Sequence, residues 1–351
     1  MNSLRQINMK DKQEPFSELN ARELMSFVQA RQAIEHFEKV LKSHQIEVAS
    51  GSDLEIVCLN IMDMEDRRID KGRTYVGDIR PLICRSLGLL ELVKLLIHAH
   101  KDSCVEPFIS HLKLLNRSVA AQNVRVVSDE GANKLFELFF GLVCQRVGTD
   151  LSLDDPNEPT GDNPDILVTI DRRRWGFACK VVNGKSLLTV FERWEEGVRQ
   201  IDRSSADVGA VVLNLRNVID HNKIWPLTNQ AEFDANLQEP LFGAWQDTGP
   251  VVSYLQNLST ELGVNFVMEN GKEAIRRVIA ETKTLPAVLL FLQTVTGIQI
   301  SKEPVPTTIS LLGLVPFGDI DGEDHAVLER INIALHPTTP QPHCELPGHP
   351  I

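Results

Sequence analysis

Residues 163–186 read NPDILVTIDRRRWGFACKVVNGKS, and the rest of the chain is best interpreted outward from them. Two short apolar runs flank a basic turn, a pattern that predicts a β-hairpin. Because side chains alternate along a strand, Ala178 and Lys180 should share one face while Cys179 points to the other. Asp165 enters the first strand just before its apolar run. We therefore expect Asp165 and Lys180 to reach one cleft.

A carboxylate and a lysine held together in this way suit metal-assisted hydrolysis of phosphodiesters. The acid can hold Mg²⁺, while the lysine positions the attacking water and offsets phosphate charge. The hairpin therefore predicts a metal-dependent hydrolytic site at Asp165 and Lys180.

The segments around the hairpin predict an α/β (α+β) fold with a mixed sheet. A helix is predicted over 128–148, an acidic linker over 149–163, a helix over 186–205 and a buried strand over 208–215. The predicted order is α-β-β-α-β, with helices on both faces of the sheet.

Residues 1–120 are predicted to form a helical bundle domain of their own. Asn20 with Glu23, and Ser52 with Glu55, are capping pairs at helix starts. Pro81 and Pro107 mark the first turns of two further helices. Three histidines of this region are assigned to the surface or to packing rather than to a metal site; they are His98, His100 and His111. His98 and His100 are two residues apart, and side chains at that spacing on a helix point in different directions.

The C-terminal part belongs to a second predicted domain, residues 121–335. Further helices are expected over 217–300, and LPAVLLFLQTV (285–295) is predicted to be either a core strand or a buried helix. The Pro- and His-rich residues 336–351 are predicted to be a disordered tail.

Composition indicates a cytoplasmic globular protein. The chain is 42% hydrophobic and 24% charged, with no apolar run of membrane-spanning length and no signal-peptide core at its start. Six scattered cysteines suggest reduced thiols. The net charge of −12 argues against a protein coated in nucleic acid but allows a local basic groove.

The hairpin and its flanking helices resemble the PD-(D/E)XK, or restriction-endonuclease-like, nuclease superfamily over roughly 121–215. Pro164-Asp165 matches the first half of the signature and Ala178-Cys179-Lys180 stands in the second. Glu137 falls where Mrr-type members carry a first-helix glutamate, and Gln200 where several members place a polar residue. The resemblance implies an endonuclease that uses Mg²⁺ or Mn²⁺, acts on DNA and serves bacterial restriction or anti-phage defence.

Ala178 departs from this signature, which has a carboxylate at that position, and three explanations remain open. The acid was removed deliberately, an acid on the following helix replaces it, or the chain keeps the fold without cutting. We favour a natural variant with Asp165, the Cys179 carbonyl and either Glu137 or a relocated glutamate as metal ligands. The candidates for relocation are Glu192, Glu195 and Glu196.

The basic residues near the predicted cleft are candidates for contact with phosphates; they are Arg172, Arg173 and Arg174 at the hairpin tip, with Lys134 and Lys185. A second hypothesis is a catalytically inactive protein of the same fold that binds nucleic acid or regulates a partner. In that case the helical bundle would bind the protein partner. A homodimer is also open, and no membrane association is expected.

Overall fold

The computed structural model describes residues 27–69, 80–101, 104–117, 130–157, 163–184, 186–225, 244–300 and 303–335. Four predicted features lie outside these residues: the cap at Asn20, the start of the helix at 128, the phosphate contact at Lys185 and the tail 336–351.

The N-terminal part is helical, as the sequence predicts. The Ser52 hydroxyl accepts a hydrogen bond from the Glu55 N–H at 3.1 Å, which confirms the cap of the second helix. The elements are α1 (Phe27–Ser43), α2 (Asp53–Ile69), α3 (Arg80–Lys101), a 3₁₀ turn (Glu106–Phe108) and α4 (Ile109–Leu115).

The central part has one strand more than the sequence predicted. Residues 149–153, assigned to the acidic linker, form an edge strand that pairs antiparallel with the first hairpin strand, Leu153 opposite Ile166. Leu151 and Leu153 alternate with exposed residues, which is the pattern of a strand with one covered face. The elements are α5 (Glu130–Gln145), β1 (Thr149–Leu153), β2 (Ile166–Ile170), β3 (Arg173–Val181), α6 (Leu187–Arg203) and β4 (Val208–Asn214).

The C-terminal part adds helices and a long antiparallel hairpin. Residues 285–295 lie in a strand, which settles the ambiguity between strand and helix for this apolar run. After a 3₁₀ turn (Arg216–Val218) the elements are α7 (His221–Ile224), α8 (Gly249–Asn270), α9 (Lys272–Ile279), β5 (Thr284–Ile300), β6 (Glu303–Pro316) and α10 (Gly322–Ala334).

The six strands form one mixed sheet in the order β1-β2-β3-β4-β5-β6, so the chain is α/β as predicted. The β3–β4 and β4–β5 pairs are parallel, and the other pairs are antiparallel. Helix α5 packs with Trp175 and Phe177 on one face, whereas α6 packs with Val211 on the other. The central hairpin is therefore covered on both sides.

The N-terminal helices and the sheet share one hydrophobic cluster. Phe37 of α1, Leu96 of α3 and Phe108 belong to the same buried cluster as Phe140 of α5 and Phe177 of β3. The predicted boundary near residue 120 falls outside the described residues. Separate folding of residues 1–120 stays a prediction.

None of the helices within the described residues is long and apolar enough to cross a lipid bilayer.

Candidate functional site

Two carboxyl groups from separate elements meet at the start of β2. Asp165 immediately precedes this strand, and its Oδ2 atom accepts the N–H of Cys179 at 2.6 Å. The Glu137 carboxyl on α5 lies close enough to that of Asp165 for the two groups to shift each other's pKa. Burial, and then the charge of Glu137, raises the pKa of Asp165 from 3.8 to about 7. The pair therefore favours a state that retains a proton.

Lys180 connects this acid pair to helix α6. Its ammonium favours the ionised form of Asp165 and so opposes the rise in pKa caused by burial and Glu137. Lys180 Nζ also lies 3.2 Å from Glu196 Oε1. Burial opposes ionisation of Glu196, but Lys180 and Arg193 outweigh it and lower the pKa of this carboxyl. Lys180 therefore contacts Glu196 directly, and its charge acts on the carboxyls of Asp165 and Glu137.

Lys134 and His111 complete the buried group around Glu137. Lys134 Nζ lies 2.8 Å from Glu137 Oε2, and His111 Nε2 lies 3.3 Å from the same oxygen. Burial and the Lys134 charge lower the pKa of His111 to about 4, so its imidazole is neutral at pH 7. We call Glu137, Asp165, Lys134 and Lys180 the acid–lysine cluster. Each of these four residues is at most 9% exposed.

Ala178 lies on the α6 side of β3, the same side on which Lys180 contacts Glu196, as strand alternation predicts. Its side chain is fully buried under helix α6, where a Cβ atom placed on Gly197 would lie 3.1 Å from the Ala178 Cβ. The helix backbone therefore rests directly on the alanine methyl group. Such close packing favours a native alanine over an alanine substituted for a glutamate, because removal of the larger side chain would leave a cavity.

Gly197→Ala should destabilise the protein by about 1 to 3 kcal/mol, because the fold gives the added methyl group no room. It would lie 2.9 Å from Val211 Cγ2 as well as 3.1 Å from Ala178. Urea denaturation measures the loss. Gly184→Ala is the matched control, since no atom lies within 4 Å of the added Cβ there. Equal stability of both variants would contradict this account of Ala178.

The remaining candidate residues on α6 and β3 differ in their contacts and in their exposure to solvent. Among the three glutamates proposed for relocation, Glu196 contacts Lys180, Glu195 lies 3.5 Å from Arg199, and Glu192 is exposed. Gln200 is buried one helical turn beyond Glu196, on the same side of the helix. The Cys179 side chain lies on the opposite face from Ala178, as strand alternation predicts.

The arginines of the hairpin tip are not beside the cluster, contrary to the expected location. Asp171 and Arg172 have φ values of 52° and 64°, typical of a tight two-residue hairpin turn, and this turn lies at the other end of the strands. From Arg173 to Lys180 the strand advances seven residues, roughly 23 Å. Arg173 binds Asp324 of α10, and Arg174 binds Ser152 of β1 at 3.1 Å.

Two residues that were not predicted as site residues lie near the cluster. His111 was assigned to packing, and its contact with Glu137 depends on how α4 meets α5, which no local pattern encodes. Asp154 follows β1, its N–H donates to the Asp165 carbonyl at 3.0 Å, and burial raises its pKa. The alternation of Leu151 and Leu153 was the signal that could have placed Asp154 there. His100 is elsewhere, with its ring 6.0 Å from that of His44.

The Glu137 and Asp165 carboxyls are of the type that binds hard divalent cations, although they do not form a complete set of ligands. Within the described residues, no group of three or more His, Cys, Asp or Glu side chains is arranged to hold a metal ion. Mg²⁺ commonly uses only one or two carboxylates and fills its other positions with water and substrate phosphate. If a metal binds here, Glu137 and Asp165 would be those two carboxylates.

No match to this chain was found among protein-family models, curated proteins or solved structures.

Proposed function

We propose that this protein is a metal-dependent nuclease of the PD-(D/E)XK type that hydrolyses DNA. The observation that carries the proposal is the meeting of two carboxyls and a lysine from three elements. Asp165 precedes β2, Glu137 lies on α5 and Lys180 lies on β3. These are the residue types that metal-assisted phosphodiester hydrolysis needs.

The order of elements supports the same proposal. The chain runs α5-β1-β2-β3-α6-β4, and β3 pairs parallel with β4 after the α6 crossover. This is the α-β-β-β-α-β order that the resemblance implies for a PD-(D/E)XK core. The additional strand β1 brings the chain closer to that order than the sequence pattern alone did. A likeness of fold leaves the chemistry to the site residues.

Within this proposal, each side chain of the site has a defined role. Asp165 and Glu137 would hold a Mg²⁺ or Mn²⁺ ion, together with the Cys179 carbonyl. A bound divalent cation supplies positive charge that stabilises the phosphate under attack. Lys180 would orient the attacking water and offset phosphate charge, and Gln200 would assist as a polar group on α6.

Glu196 is our choice for the acid that replaces the carboxylate missing at 178. It is the residue immediately before Gly197, which packs on Ala178, and its carboxylate lies 3.2 Å from Lys180 Nζ. The acid and the lysine therefore stay together even though the acid has moved from the strand to the helix. Glu195 and Glu192 lack this contact with Lys180 among the interactions of the described residues.

Cleavage of plasmid DNA, single-stranded DNA and RNA in Mg²⁺ or Mn²⁺ tests the proposal. We expect the native chain to cut DNA and Asp165→Asn or Lys180→Met to lose at least about 100-fold in rate, since each removes charge at the reacting phosphate. Glu196→Gln should lose activity, whereas Glu195→Gln should keep it. Cleavage that persists in Asp165→Asn would contradict the proposed site.

A second candidate function has its own supporting observation. The acid–lysine cluster is buried, and Lys134 already neutralises Glu137. This favours a nuclease-like protein that binds nucleic acid or a regulatory partner without cutting. Helix α2 exposes Ile56 and Leu59, apolar side chains that a protein partner could cover. Retained DNA affinity without cleavage by the native chain would favour this candidate.

The biological setting of the proposal rests on the resemblance alone. The resemblance implies bacterial restriction or anti-phage defence, whereas composition is the ground for a cytoplasmic location, and a homodimer is one option for the assembly. Size-exclusion chromatography with light scattering determines the oligomeric state directly.

A further inference from the structure

The Lys134 ammonium stands among three carboxylates. It lies 2.8 Å from Glu137 Oε2 in a buried i,i+3 pair. Burial opposes its charged form, but the carboxylates of Glu137, then Asp165 and Asp154, outweigh burial and raise the pKa of Lys134. These acids come from α5, the start of β2 and the end of β1. A positive charge that is paired with Glu137 and near two further acids supplies part of the charge compensation that a bound metal cation would supply.

The Lys134 contact is directed at an oxygen that the proposed metal site needs. Glu137 Oε2 accepts from Lys134 and also lies 3.3 Å from the His111 ring nitrogen. An oxygen with two such neighbours offers little room for a cation. The Glu137 side chain is 4% exposed and that of Lys134 is 10% exposed, so solvent screens their attraction only weakly.

We propose that Lys134 is an internal cation that competes with a divalent metal for Glu137 and Asp165. In the resting protein Lys134 therefore opposes metal binding by these two carboxyls. This inference rests on the proposed function, because it presumes that the same acids bind metal. Metal then enters only as Lys134 leaves Glu137. The lysine acts as a positioning residue, which restrains the acids without touching the substrate.

The competition predicts that removal of the lysine charge strengthens metal binding. The Lys134→Met variant leaves the carboxylates with one fewer positive charge at close range, where the effective dielectric constant is low. We expect Mn²⁺ to bind this variant at least about tenfold more tightly than the native chain in calorimetric titration. Lys134→Arg keeps the charge and should bind like the native chain.

Lys94→Met is the matched control. Lys94 forms an i,i+3 ion pair with Glu91 at 3.2 Å on α3, with 19% of its side chain exposed. Its removal should leave Mn²⁺ affinity unchanged. Because Lys134→Met strands a buried carboxylate, it should also lose stability, and Mn²⁺ should raise its Tm more than that of the native chain. Lys134→Gln, which can still donate to Glu137, serves if the methionine variant does not fold.

The possible failures are distinguishable. Equal or weaker Mn²⁺ binding by folded Lys134→Met and Lys134→Gln, with measurable binding by the native chain, overturns the competition and leaves the proposed metal site intact. Absence of Mn²⁺ binding in all folded variants overturns both the competition and the proposed nuclease site. Tighter binding by the Lys94→Met control would also overturn the inference, because the effect would then be one of net charge.

Discussion

Asp165→Asn should make the protein more stable at neutral pH and remove a loss of stability that we expect of the native chain between about pH 4 and pH 7. Burial and the neighbouring Glu137 raise the pKa of Asp165 from 3.8 to about 7. Asparagine keeps an oxygen that can accept the Cys179 N–H but carries no charge. The variant therefore avoids a buried charge that the native chain must accommodate.

The direction of the pH effect follows from proton binding in the two states. Above pH 3.8 the unfolded chain loses the Asp165 proton, while the folded chain keeps it until about pH 7. The folded state binds more protons in this window, so the free energy of unfolding falls as pH rises. A shift of this size corresponds to a few kcal/mol, at about 1.4 kcal/mol per pKa unit.

Two buried histidines act in the opposite direction and must be separated from Asp165. Burial lowers the pKa of His111 and of His221 from 6.5 to about 4, so each contributes stability that is lost as pH falls through this range. The difference between native and Asp165→Asn unfolding, measured in urea with a chelator present at pH 5 and pH 8, isolates the carboxyl.

Asp155→Asn is the control for this measurement. Asp155 is exposed, and hydrogen bonds from Asn157 lower its pKa, so its removal should not reproduce the gain at pH 8. A native chain that matches Asp165→Asn at both pH values would contradict the raised pKa. A confirmed gain would mean that the protein keeps its acid pair at a cost in stability, which is typical of functional sites.

Ala178→Glu should not restore a conventional site but should destabilise the fold by more than about 3 kcal/mol. Position 178 is fully buried, because the backbone of α6 covers it at Gly197. A glutamate there must either displace the helix or bury a carboxylate among Trp194, Val198 and Val211. Both overpacking and unpaired buried charge are costly.

Chemical denaturation and Mn²⁺ titration of Ala178→Glu are the measurements. Ala178→Gly is the control, because it removes a methyl group without adding volume and should cost about 1 kcal/mol. A stable Ala178→Glu protein that gains both metal binding and cleavage would instead show that the native site is disabled by its alanine.

The features that the sequence predicted well are those that local patterns encode. The β2–β3 hairpin, the fully buried β4 and the helix that carries Glu137 each follow from alternation, apolar runs or capping signals. Strand alternation also placed Lys180 and Cys179 on opposite faces of β3. The juxtaposition of Asp165 and Glu137 was expected from the family resemblance rather than from local pattern.

The features that the sequence did not predict depend on contacts between distant segments. The acidic composition of 149–163 concealed the short strand β1, whose covered face consists of only Leu151 and Leu153. The arginines of the hairpin tip are close to Lys180 in sequence, but an extended strand advances about 3.3 Å per residue and so carries them far from Lys180 in space. Lys134 was predicted to contact phosphate, and only the packing of α5 on the sheet reveals its pairing with Glu137.

The contact between Gly197 and Ala178 also constrains how this chain can change over generations. A glutamate at 178 and any side chain larger than hydrogen at 197 exclude one another, because the two positions share one space between β3 and α6. A mutation that introduces a strand carboxylate at 178 should therefore give a less stable protein. The neighbouring helix position, occupied by Glu196, is half-buried and accepts an acid without that loss. As long as Gly197 packs on Ala178, the helix therefore offers a place for an acid beside Lys180 that the strand does not.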